Sequence, residues 1–432
     1  MLLKFKTQNR RESVPFLQPV EELPVYDLIV AGLGTAGVYA ALTAAKQGLR
    51  VLGIEKLNCC GGTGTAGDVH GYYFGTPGGI YEELDEKVRE MESVGYMPVV
   101  GLNPEAKKYV CEQALIDSKV EIHYESRVTG VLMEENTVCG IQWIENGEEK
   151  TALAKITLDC TGESGICDTI GCRMERGRAF DGQVQPYSVV QPEIVNGLVE
   201  FYHYLDCGYM DALDAGQYAK ACVDAACLLH YNLEDYRTRR VLGISILLGL
   251  REGRRIVGEE TVELQDYLED RMTDHPAFYA YSNLDNHGRD LAFESEGLQD
   301  WLVASSLWGI NISVPVSLGC CIPKGYEGIL AAGRNISIGH DIASCVRQRR
   351  DMQKCGEAVG CAAALAIRKG ISVREVPYEE LKKQLLATGC LKKTDDSGIW
   401  DIEEGRWHRT AWLNEAGDIY QGLKSNRPGI AI

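Results

Sequence analysis

The distribution of apolar residues between positions 26 and 56 predicts a β-α-β unit. Residues 27–31 form a mostly apolar run that stops at Gly32, which indicates a buried parallel strand. Residues 38–47 are rich in alanine and contain no proline, which predicts a helix that ends at Gly48. Residues 50–54 are again mostly apolar and predict the next strand. The glycines after the first strand therefore lie in the turn between strand and helix.

Similar patterns predict further elements downstream. Residues 121–124 and 126–143 predict a strand followed by a β-hairpin, and residues 156–160 predict another buried strand. Residues 210–232 predict a helix, while the apolar run 241–250 predicts a buried strand followed by charged turns and a helix. Strands that alternate with helices are typical of the α/β class.

The turn of the β-α-β unit carries the spacing G-x-G-x-x-G. The first glycine permits the tight turn, the second lets the backbone approach a pyrophosphate, and the third lets the helix pack close to the strand. Glu55 ends the second strand 23 residues after Gly32, where a carboxylate can accept hydrogen bonds from ribose hydroxyls. This context predicts a dinucleotide site. Its candidate residues are Gly32, Gly34, Thr35, Ala36, Gly37, Glu55 and Lys56.

Composition narrows the classes of protein that fit. The chain has 432 residues, a formal net charge of -18 and 45% hydrophobic residues, which suffices for a large buried core. The sequence shows no basic patch, so we expect neither nucleic acid nor an anionic membrane as a partner. The apolar run 241–250 is far too short to span a bilayer, and we expect a cytoplasmic protein.

The cysteines predict neither a disulfide framework nor a metal site. All 16 are scattered through the chain, and no pair has Cys-x-x-Cys spacing, so reduced thiols and no bound metal are expected. A disulfide between the adjacent Cys59 and Cys60 would be strained. Both are expected to occupy small packing positions beside the glycines that follow.

The stretch EKLNCCGGTGT, residues 55–65, narrows the choice of dinucleotide. It resembles the E-K…G-G-T pattern of the glycine-doublet flavoproteins. The resemblance implies that FAD is the cofactor and that this stretch follows it from the ribose towards the isoalloxazine ring. It adds as candidate cofactor-binding residues Gly61, Gly62, Thr63 and Thr65.

Three later segments strengthen this resemblance. Val128, in the predicted hairpin, matches a residue whose backbone contacts adenine. ITLDCTGESG, with Thr161 and Gly162, matches a D-x-T-G turn that passes beneath the cofactor. Residues 328–370 resemble the closing FAD segment, in which Gly333 and Arg334 follow a strand.

The family resemblance is to the FAD-dependent oxidoreductases, which are related to the fumarate-reductase and thiazole-synthase flavoproteins. It rests also on REGRRIVGEETV at residues 251–262 and on CIPKGYEGILAAGRNISIGHDIASCVRQRR at residues 321–350. The features extend discontinuously from about residue 25 to 370. The chain departs from the family at Cys60, where an aliphatic residue is common, and at residues 348–350, where valine-methionine-proline is common.

The resemblance implies an architecture. Residues 25–165 and 319–370 would build a Rossmann-like α/β FAD-binding domain of the glycine-doublet type. Residues 166–318 would form an inserted, mixed α+β substrate lobe, and residues 371–432 a C-terminal extension. The sequence leaves open whether that extension packs across the FAD domain or makes a contact in a homo-oligomer.

The resemblance also implies an enzyme in which hydride moves between a substrate carbon and flavin N5. His340 is the first candidate acid or base because imidazole titrates near neutral pH, and a histidine that only makes a core or flavin hydrogen bond is the alternative. Arg347 can orient a carboxylate or polarise a carbonyl, or it pairs with an acidic residue of this chain. Arg349 and Arg350 are weaker candidates, because adjacent charges are typical of a solvated helix start.

Other polar residues are expected near the flavin. His70, Tyr72 and Tyr73 follow the glycine doublet closely, and lining the cavity is the favoured role for the tyrosines. His287 and Arg289 can reach the site from the lobe, although a surface turn is the favoured interpretation of their segment.

Three functions remain open at this stage. Oxidation of a sugar-like CH-OH compound is the marginal first choice, with a small-molecule substrate and an electron acceptor that the sequence does not identify. Reduction of an activated C=C bond in a carboxylate substrate is the second choice. A flavin-binding subunit that mainly binds a partner is the third.

Overall fold

The structure is a computed structural model that describes residues 3–7, 10–226, 239–269, 271–288, 292–304, 311–392, 399–402 and 405–408. The strands are β1 (Lys4–Thr7), β2 (Arg10–Pro15), β3 (Val25–Ala31), β4 (Val51–Ile54), β5 (Glu121–His123), β6 (Arg127–Glu134), β7 (Thr137–Glu145), β8 (Glu148–Asp159), β9 (Met174–Arg176), β10 (Tyr187–Val195), β11 (Leu198–Gly208), β12 (Arg239–Val241), β13 (Arg254–Ile256), β14 (Pro276–Ser282), β15 (Ile312–Ser317), β16 (Ile329–Ala331), β17 (Ile399–Ile402) and β18 (Gly405–His408).

The helices lie between these strands and after them. They are α1 (Gly37–Lys46), α2 (Tyr81–Val94), α3 (Pro104–Asp117), α4 (Gly165–Ile170), α5 (Ala215–Ala226), α6 (Leu264–Leu268), α7 (Glu296–Ala304), α8 (His340–Val346), α9 (Arg349–Lys369) and α10 (Tyr378–Thr388). Within the described residues, no helix combines the length and the apolar character that crossing a membrane requires.

The main sheet confirms the predicted Rossmann-like α/β class. Its nine strands in the described part of the chain follow the order β2-β1-β6-β7-β8-β3-β4-β5, and β16 pairs with β8. Leu28 in β3 lies opposite Val51 in β4 and Ile156 in β8, with both pairings parallel. The helix α1 follows β3 as the apolar pattern predicts. Because the parallel strands share a direction, their carboxyl ends bring the turns after β3, β4, β8 and β16 to one edge of the sheet.

The long helix α9 packs directly on α1 through glycine. A Cβ atom at Gly356 would lie 2.0 Å from the Ala36 carbonyl oxygen, and one at Gly360 would lie 2.6 Å from the Ala40 carbonyl oxygen. Real Cβ contacts are longer, so only glycine permits this approach. The contact fixes the N-terminal end of α9 beside the first dinucleotide turn.

A buried carboxylate joins α9 to two distant segments. Asp351 accepts hydrogen bonds from the backbone N–H of Thr76 at 2.7 Å and of Tyr281 in β14 at 3.0 Å. The Lys354 ammonium donates to the Thr76 hydroxyl at 2.8 Å. Burial raises the pKa of Asp351 to about 7.

The inserted region contains two structurally different parts. The β10, β11 and β12 sheet and α5 enclose a small core of their own, which includes Val189, Ala221 and Leu248. The antiparallel pair of β14 and β15 instead belongs to the main core, because its residues Phe278 and Val314 are fully buried there. The lobe that faces the cavity is therefore smaller than the predicted range 166–318.

Several elements differ from the sequence-based expectation. The apolar run 241–250 is not a buried strand but mostly an irregular segment, in which Leu242 and Ile246 are more than half exposed. It bridges two parts of the molecule, because Leu247 N–H donates to the Ala66 carbonyl at 2.9 Å and Ser245 N–H donates to the Val190 carbonyl at 3.0 Å. These partners lie far away in sequence, so the local pattern does not indicate them.

Elements outside the predicted domain limits also contribute. The hairpin β1–β2 precedes residue 25 and extends the main sheet by pairing with β6. In the C-terminal extension, α10 packs on α9 with Leu381 and Leu385 buried. Trp400 and Trp407 lie opposite each other in the β17–β18 pair, whereas Trp412 lies outside the described residues.

Replacing the glycine at the α1–α9 contact is expected to destabilise the protein. Gly356→Ala forces α9 away from the Ala36 carbonyl, and overpacking of this kind costs about 1–3 kcal/mol of unfolding free energy. Chemical denaturation followed by circular dichroism measures the loss. Gly95→Ala is the matched control, because nothing lies within 4 Å of its Cβ position. Equal stability of the Gly356 variant and the control would contradict the assigned contact.

Candidate functional site

A cavity of about 1120 Å³ lies between the dinucleotide turn and the β10–β11 lobe. Its wall includes most of the predicted cofactor residues, which stay candidates for contact with a dinucleotide. Those that line it are Gly32, Gly34, Thr35, Ala36, Glu55, Lys56, Gly62, Thr63, Val128, Thr161, Gly162, Gly333 and Arg334. Gly37, Gly61 and Thr65 do not line it; a Cβ atom at Gly37 would lie 1.9 Å from the Gly32 carbonyl oxygen.

The two glycine-rich turns form a backbone cradle at one end of this cavity. Gly32 has a φ of +91°, and its Cβ would lie 2.4 Å from the Cys160 carbonyl oxygen. Gly62 has a φ of +63°, and its Cβ would lie 2.8 Å from the Thr35 nitrogen. Gly34 is open, since the nearest atom to its Cβ position is 3.9 Å away. A backbone surface without side chains beside the N-terminal end of α1 fits the pyrophosphate of a dinucleotide.

Glu55 is placed for a ribose by two backbone hydrogen bonds. Its Oε2 accepts from Leu33 N–H at 2.7 Å, and its Oε1 accepts from Leu57 N–H at 3.0 Å. The side chain is buried yet lines the cavity, and burial raises its pKa. Each carboxylate oxygen can accept a further hydrogen bond, so the ribose hydroxyls of a bound dinucleotide fit this carboxylate.

The turn after β8 is held by the fully buried Asp159. This carboxylate accepts from the Thr161 hydroxyl at 2.7 Å and from the backbone N–H groups of Ile166 and Cys167 at 2.9 Å each. The last two bonds satisfy N–H groups at the start of α4, which otherwise lack partners. Thr161 and Gly162 are thereby presented to the cavity.

The closing segment is tied to the inserted region by arginine. Arg334 forms an ion pair with Glu163 and donates to the Leu250 carbonyl at 3.0 Å. Arg347 lines the cavity and donates to the Asp285 carboxylate at 3.0 Å. The charge of Arg347 is therefore already paired with an acidic residue of the chain. The sequence had offered this pairing as the alternative to binding a substrate.

His340 does not line the cavity. It is the first residue of α8, where its Nδ1 lies 2.8 Å from a Glu252 oxygen and its Nε2 lies 3.7 Å from a Glu294 oxygen. Burial alone would lower the pKa of His340, but the hydrogen bond to Glu252 and the nearby Glu294 carboxylate outweigh it and raise the pKa to about 9. His340 is thus a cation at neutral pH with both nitrogens next to carboxylates, a poor arrangement for a general base.

Two other histidines meet at the cavity wall. His70 follows the glycine doublet, and His203 lies in β11. The Nδ1 atom of His70 is 3.5 Å from the Nε2 atom of His203. The His70 ring also stacks on Phe201 at a centroid distance of 4.7 Å. Burial, and then the charges of His70 and Arg349, lower the pKa of His203 to about 4, and burial lowers the pKa of His70. Both imidazoles are neutral at neutral pH, and the sequence alone did not single out His203.

Arg349 differs from the predicted solvated helix start. It is only 9% exposed, it lines the cavity, and its guanidinium nitrogens have no hydrogen-bond partner among the residues that the structure describes. Its guanidinium carbon lies 4.4 Å from the centroid of the Tyr72 ring. Tyr72 also lines the cavity, as expected, and its hydroxyl donates to Asp85 at 2.6 Å. Position 349 is one of those at which the chain departs from the family pattern.

The lobe side of the cavity is mainly aliphatic. Val190, Leu205, Ala219, Leu247 and Leu250 line it from β10, β11, α5 and the segment after β12. This composition suits an apolar ligand body.

Three further sequence-based candidates have different outcomes. His287 lines the cavity, where its Nδ1 lies 2.8 Å from an Asp206 oxygen and its Nε2 lies 3.1 Å from an Asp285 oxygen. Arg289 lies outside the described residues. Tyr73 reaches the cavity wall although it is 61% exposed.

The comparison with a protein-family model identifies the cofactor class. A family model described as FAD dependent oxidoreductase matches residues 27–221 and 195–385. The chain is 34% identical over 160 residues to a digeranylgeranylglycerophospholipid reductase of Methanocella arvoryzae, covering 32% of this chain and 39% of that one. It is 32% identical over 189 residues to digeranylgeranylglycerophospholipid reductase 2 of Methanococcoides burtonii, covering 38% and 43%. The chain thus spans about two fifths of the length of these curated relatives.

One solved structure aligns with the chain over a longer stretch. The geranylgeranyl bacteriochlorophyll reductase-like protein of Thermoplasma acidophilum is 14% identical and superposes with a TM-score of 0.40. The match covers 93% of this chain and 90% of that chain.

The stabilising effect of His340 is expected to disappear in alkaline solution. Its folded-state pKa of about 9 lies above the ordinary value of 6.5, so its contribution is fully present below pH 6.5 and is lost as the pH rises through 9. The difference in unfolding free energy between the wild type and His340→Gln should therefore be largest near pH 6 and should shrink by pH 9.5.

Denaturant titrations across this pH range provide the measurement. His275→Gln serves as the control, because His275 is exposed and has no carboxylate partner in the described ranges. A difference between wild type and His340→Gln that stays constant from pH 6 to pH 9.5 would rule out the assigned ion pairs.

Proposed function

This chain belongs to the FAD dependent oxidoreductase family, and from this premise we propose that it reduces a C=C bond in a substrate with an apolar alkenyl body. It is an FAD-dependent enzyme; the substrate and the direction of the reaction are the proposed part. The observation that carries the proposal is the aliphatic wall that the β10–β11 lobe places over the dinucleotide cavity.

The residues that would hold FAD are those of the glycine cradle and its surroundings. The open backbone at Gly34 and Gly62 would accept the pyrophosphate, and Glu55 would accept hydrogen bonds from the ribose. Bound FAD, once reduced by an external two-electron donor, would supply the hydride that one alkene carbon needs. The protein must then bind the substrate, exclude water and deliver a proton to the other carbon.

The names of the relatives support an alkenyl substrate. Both curated relatives are named as reductases of a lipid that carries geranylgeranyl chains. In this chain, Val190, Leu205 and Leu247 offer a surface that would bury such a chain. Each buried methylene contributes roughly 0.8 kcal/mol of transfer free energy, so a long hydrocarbon gains substantial affinity from this wall.

Oxidation of a sugar-like CH-OH compound receives no such support. That function assigned the removal of the hydroxyl proton to His340, which does not line the cavity and is already protonated at neutral pH. A polyol would also leave hydroxyl groups against aliphatic side chains without hydrogen-bond partners, which is costly.

The His70–His203 pair is the candidate proton donor. The nitrogens that face each other can hold one proton between them, and both rings border the cavity. The pair would take up one proton from solvent, and the resulting imidazolium would donate it to the alkene carbon as the hydride arrives at the neighbouring carbon, which returns the ring to its neutral form. The low pKa of His203 makes its protonated form a stronger acid than free imidazole.

The proposal predicts that alkenes reoxidise the reduced enzyme. FAD-loaded protein is reduced anaerobically with dithionite and mixed with geranylgeraniol. The flavin absorbance should return, and mass spectrometry should detect a product heavier by two hydrogen atoms per reduced bond. Failure of alkenes to reoxidise the flavin, together with bleaching of the oxidised enzyme by polyols, would overturn the assignment.

Narrowing the aliphatic wall should impair this reaction selectively. Ala219 is an exposed residue of α5 that lines the cavity, and Ala219→Trp places an indole there. We expect kcat/KM for a C20 alkenyl substrate to fall at least tenfold, mainly because KM rises. Val223→Trp is the matched control on the same helix, because Val223 is 66% exposed and does not line the cavity. Equal kinetics for the two variants would remove α5 from the substrate site.

A further inference from the structure

We propose that Arg349 is the centre of an oxyanion subsite that binds a carboxylate or phosphate group on the substrate. This inference deepens the proposed function, because it names the polar part of a substrate whose apolar part would lie against the lobe. It concerns binding, so it can be tested without turnover.

The isolation of the Arg349 guanidinium is the first observation. All three of its nitrogens are buried, and none has a hydrogen-bond partner among the described residues. A buried cation without a paired anion is costly, so such a group normally has a ligand or an acidic partner. The cavity that Arg349 lines is the place from which a partner can approach.

The other cavity arginines show what the usual arrangement is. Arg251, Arg334 and Arg347 are 3.4 Å or less from carboxylate oxygens of the chain itself. Arg127 lines the cavity but is exposed to solvent. Arg349 is thus the buried cavity arginine in the described ranges whose charge the protein does not neutralise.

The guanidinium is held in a defined orientation. The Tyr72 ring lies between two arginines, with Arg349 at 4.4 Å and Arg350 at 4.6 Å from its centroid. The Tyr72 hydroxyl is fixed by Asp85 at 2.6 Å and Lys107 at 3.1 Å. A guanidinium stacked on a ring keeps its N–H groups in the plane, where a bidentate oxyanion can meet them.

The surroundings also favour negative charge on a ligand. Arg349 is the first residue of the 21-residue helix α9, whose N-terminal end carries a partial positive charge. His70 and His203 offer neutral rings nearby, and their pKa values respond to the charge of Arg349. The Asp85 carboxylate is compensated by Lys107 at 2.6 Å, so it does not oppose an incoming anion.

The test compares Arg349→Gln with Arg350→Gln in the FAD-loaded, oxidised protein. Arg350 is the matched control, because it faces the same Tyr72 ring but does not line the cavity. Three probes share one hydrocarbon body: geranylgeraniol, geranylgeranoic acid and geranylgeranyl monophosphate. Their affinities are measured by the change in the flavin spectrum on titration, and the FAD dissociation constant is measured separately.

The wild type should bind at least one anionic probe about tenfold or more tightly than the alcohol, since a charge-assisted contact contributes at least 1.4 kcal/mol. Arg349→Gln should bring that affinity down to the level of the alcohol and leave the FAD dissociation constant unchanged. Arg350→Gln should retain the preference. The carboxylate and phosphate arms identify which oxyanion the subsite prefers.

Three results would overturn the proposal. The first is wild-type protein that binds all three probes equally, and the second is Arg349→Gln that keeps the preference for the anion. The third is Arg349→Gln that loses FAD, since Arg349 would then hold the cofactor. If the glutamine variant does not fold, Arg349→Lys replaces it in the test. This variant keeps the positive charge, so it should retain part of the preference for the anionic probe. Anion binding without any C=C reduction would refute the proposed reductase function alone.

Discussion

The contact between α1 and α9 determines where the remaining parts of the site can lie. Gly356 and Gly360 bring the backbones of these helices closer than any other residue would permit. Because α9 packs on α1 at both glycines, the residues just before and at its start lie at the carboxyl edge of the parallel strands. Arg347 and Arg349 reach the cavity for this reason, although they follow the dinucleotide turn by about three hundred residues of sequence.

Buried carboxylates serve the architecture of the site more than its chemistry. Glu55, Asp159 and Asp351 all accept backbone N–H groups, from the adjoining turn in the case of Asp159 and from segments farther along the chain in the case of Glu55 and Asp351. Each carboxylate replaces the hydrogen bonds to water that these backbone N–H groups lose on burial. These acidic residues are thereby committed to holding turns in place, and among the described residues the groups left for a ligand include imidazoles, tyrosines and the buried guanidinium of Arg349.

The sequence predicted those features that depend on local geometry. The strands around Gly32, the helix α1 and the doublet at Gly61 and Gly62 follow from turn sterics and short-range periodicity, which one segment carries by itself. His203 could not be found this way, because a position in β11 joins the cavity wall only when the lobe folds over His70. The prediction that Arg349 is solvated was wrong. Adjacent charges are usually solvated, whereas here the α1–α9 packing buries the first turn of α9.

The hydrogen bonds of Asp351 bear on how the molecule can move. A single carboxylate joins the loop at Thr76, the strand β14 and the start of α9, and all of these atoms are buried. Separating them would expose or orphan several polar groups at once, which makes this side of the cavity a poor hinge. On the opposite side, backbone hydrogen bonds such as that from Leu247 N–H to the Ala66 carbonyl attach the lobe, and Leu205 and Leu213 there are about half exposed. We therefore expect that a bulky ligand enters and leaves when the β10–β11 lobe moves away from the rest of the cavity wall.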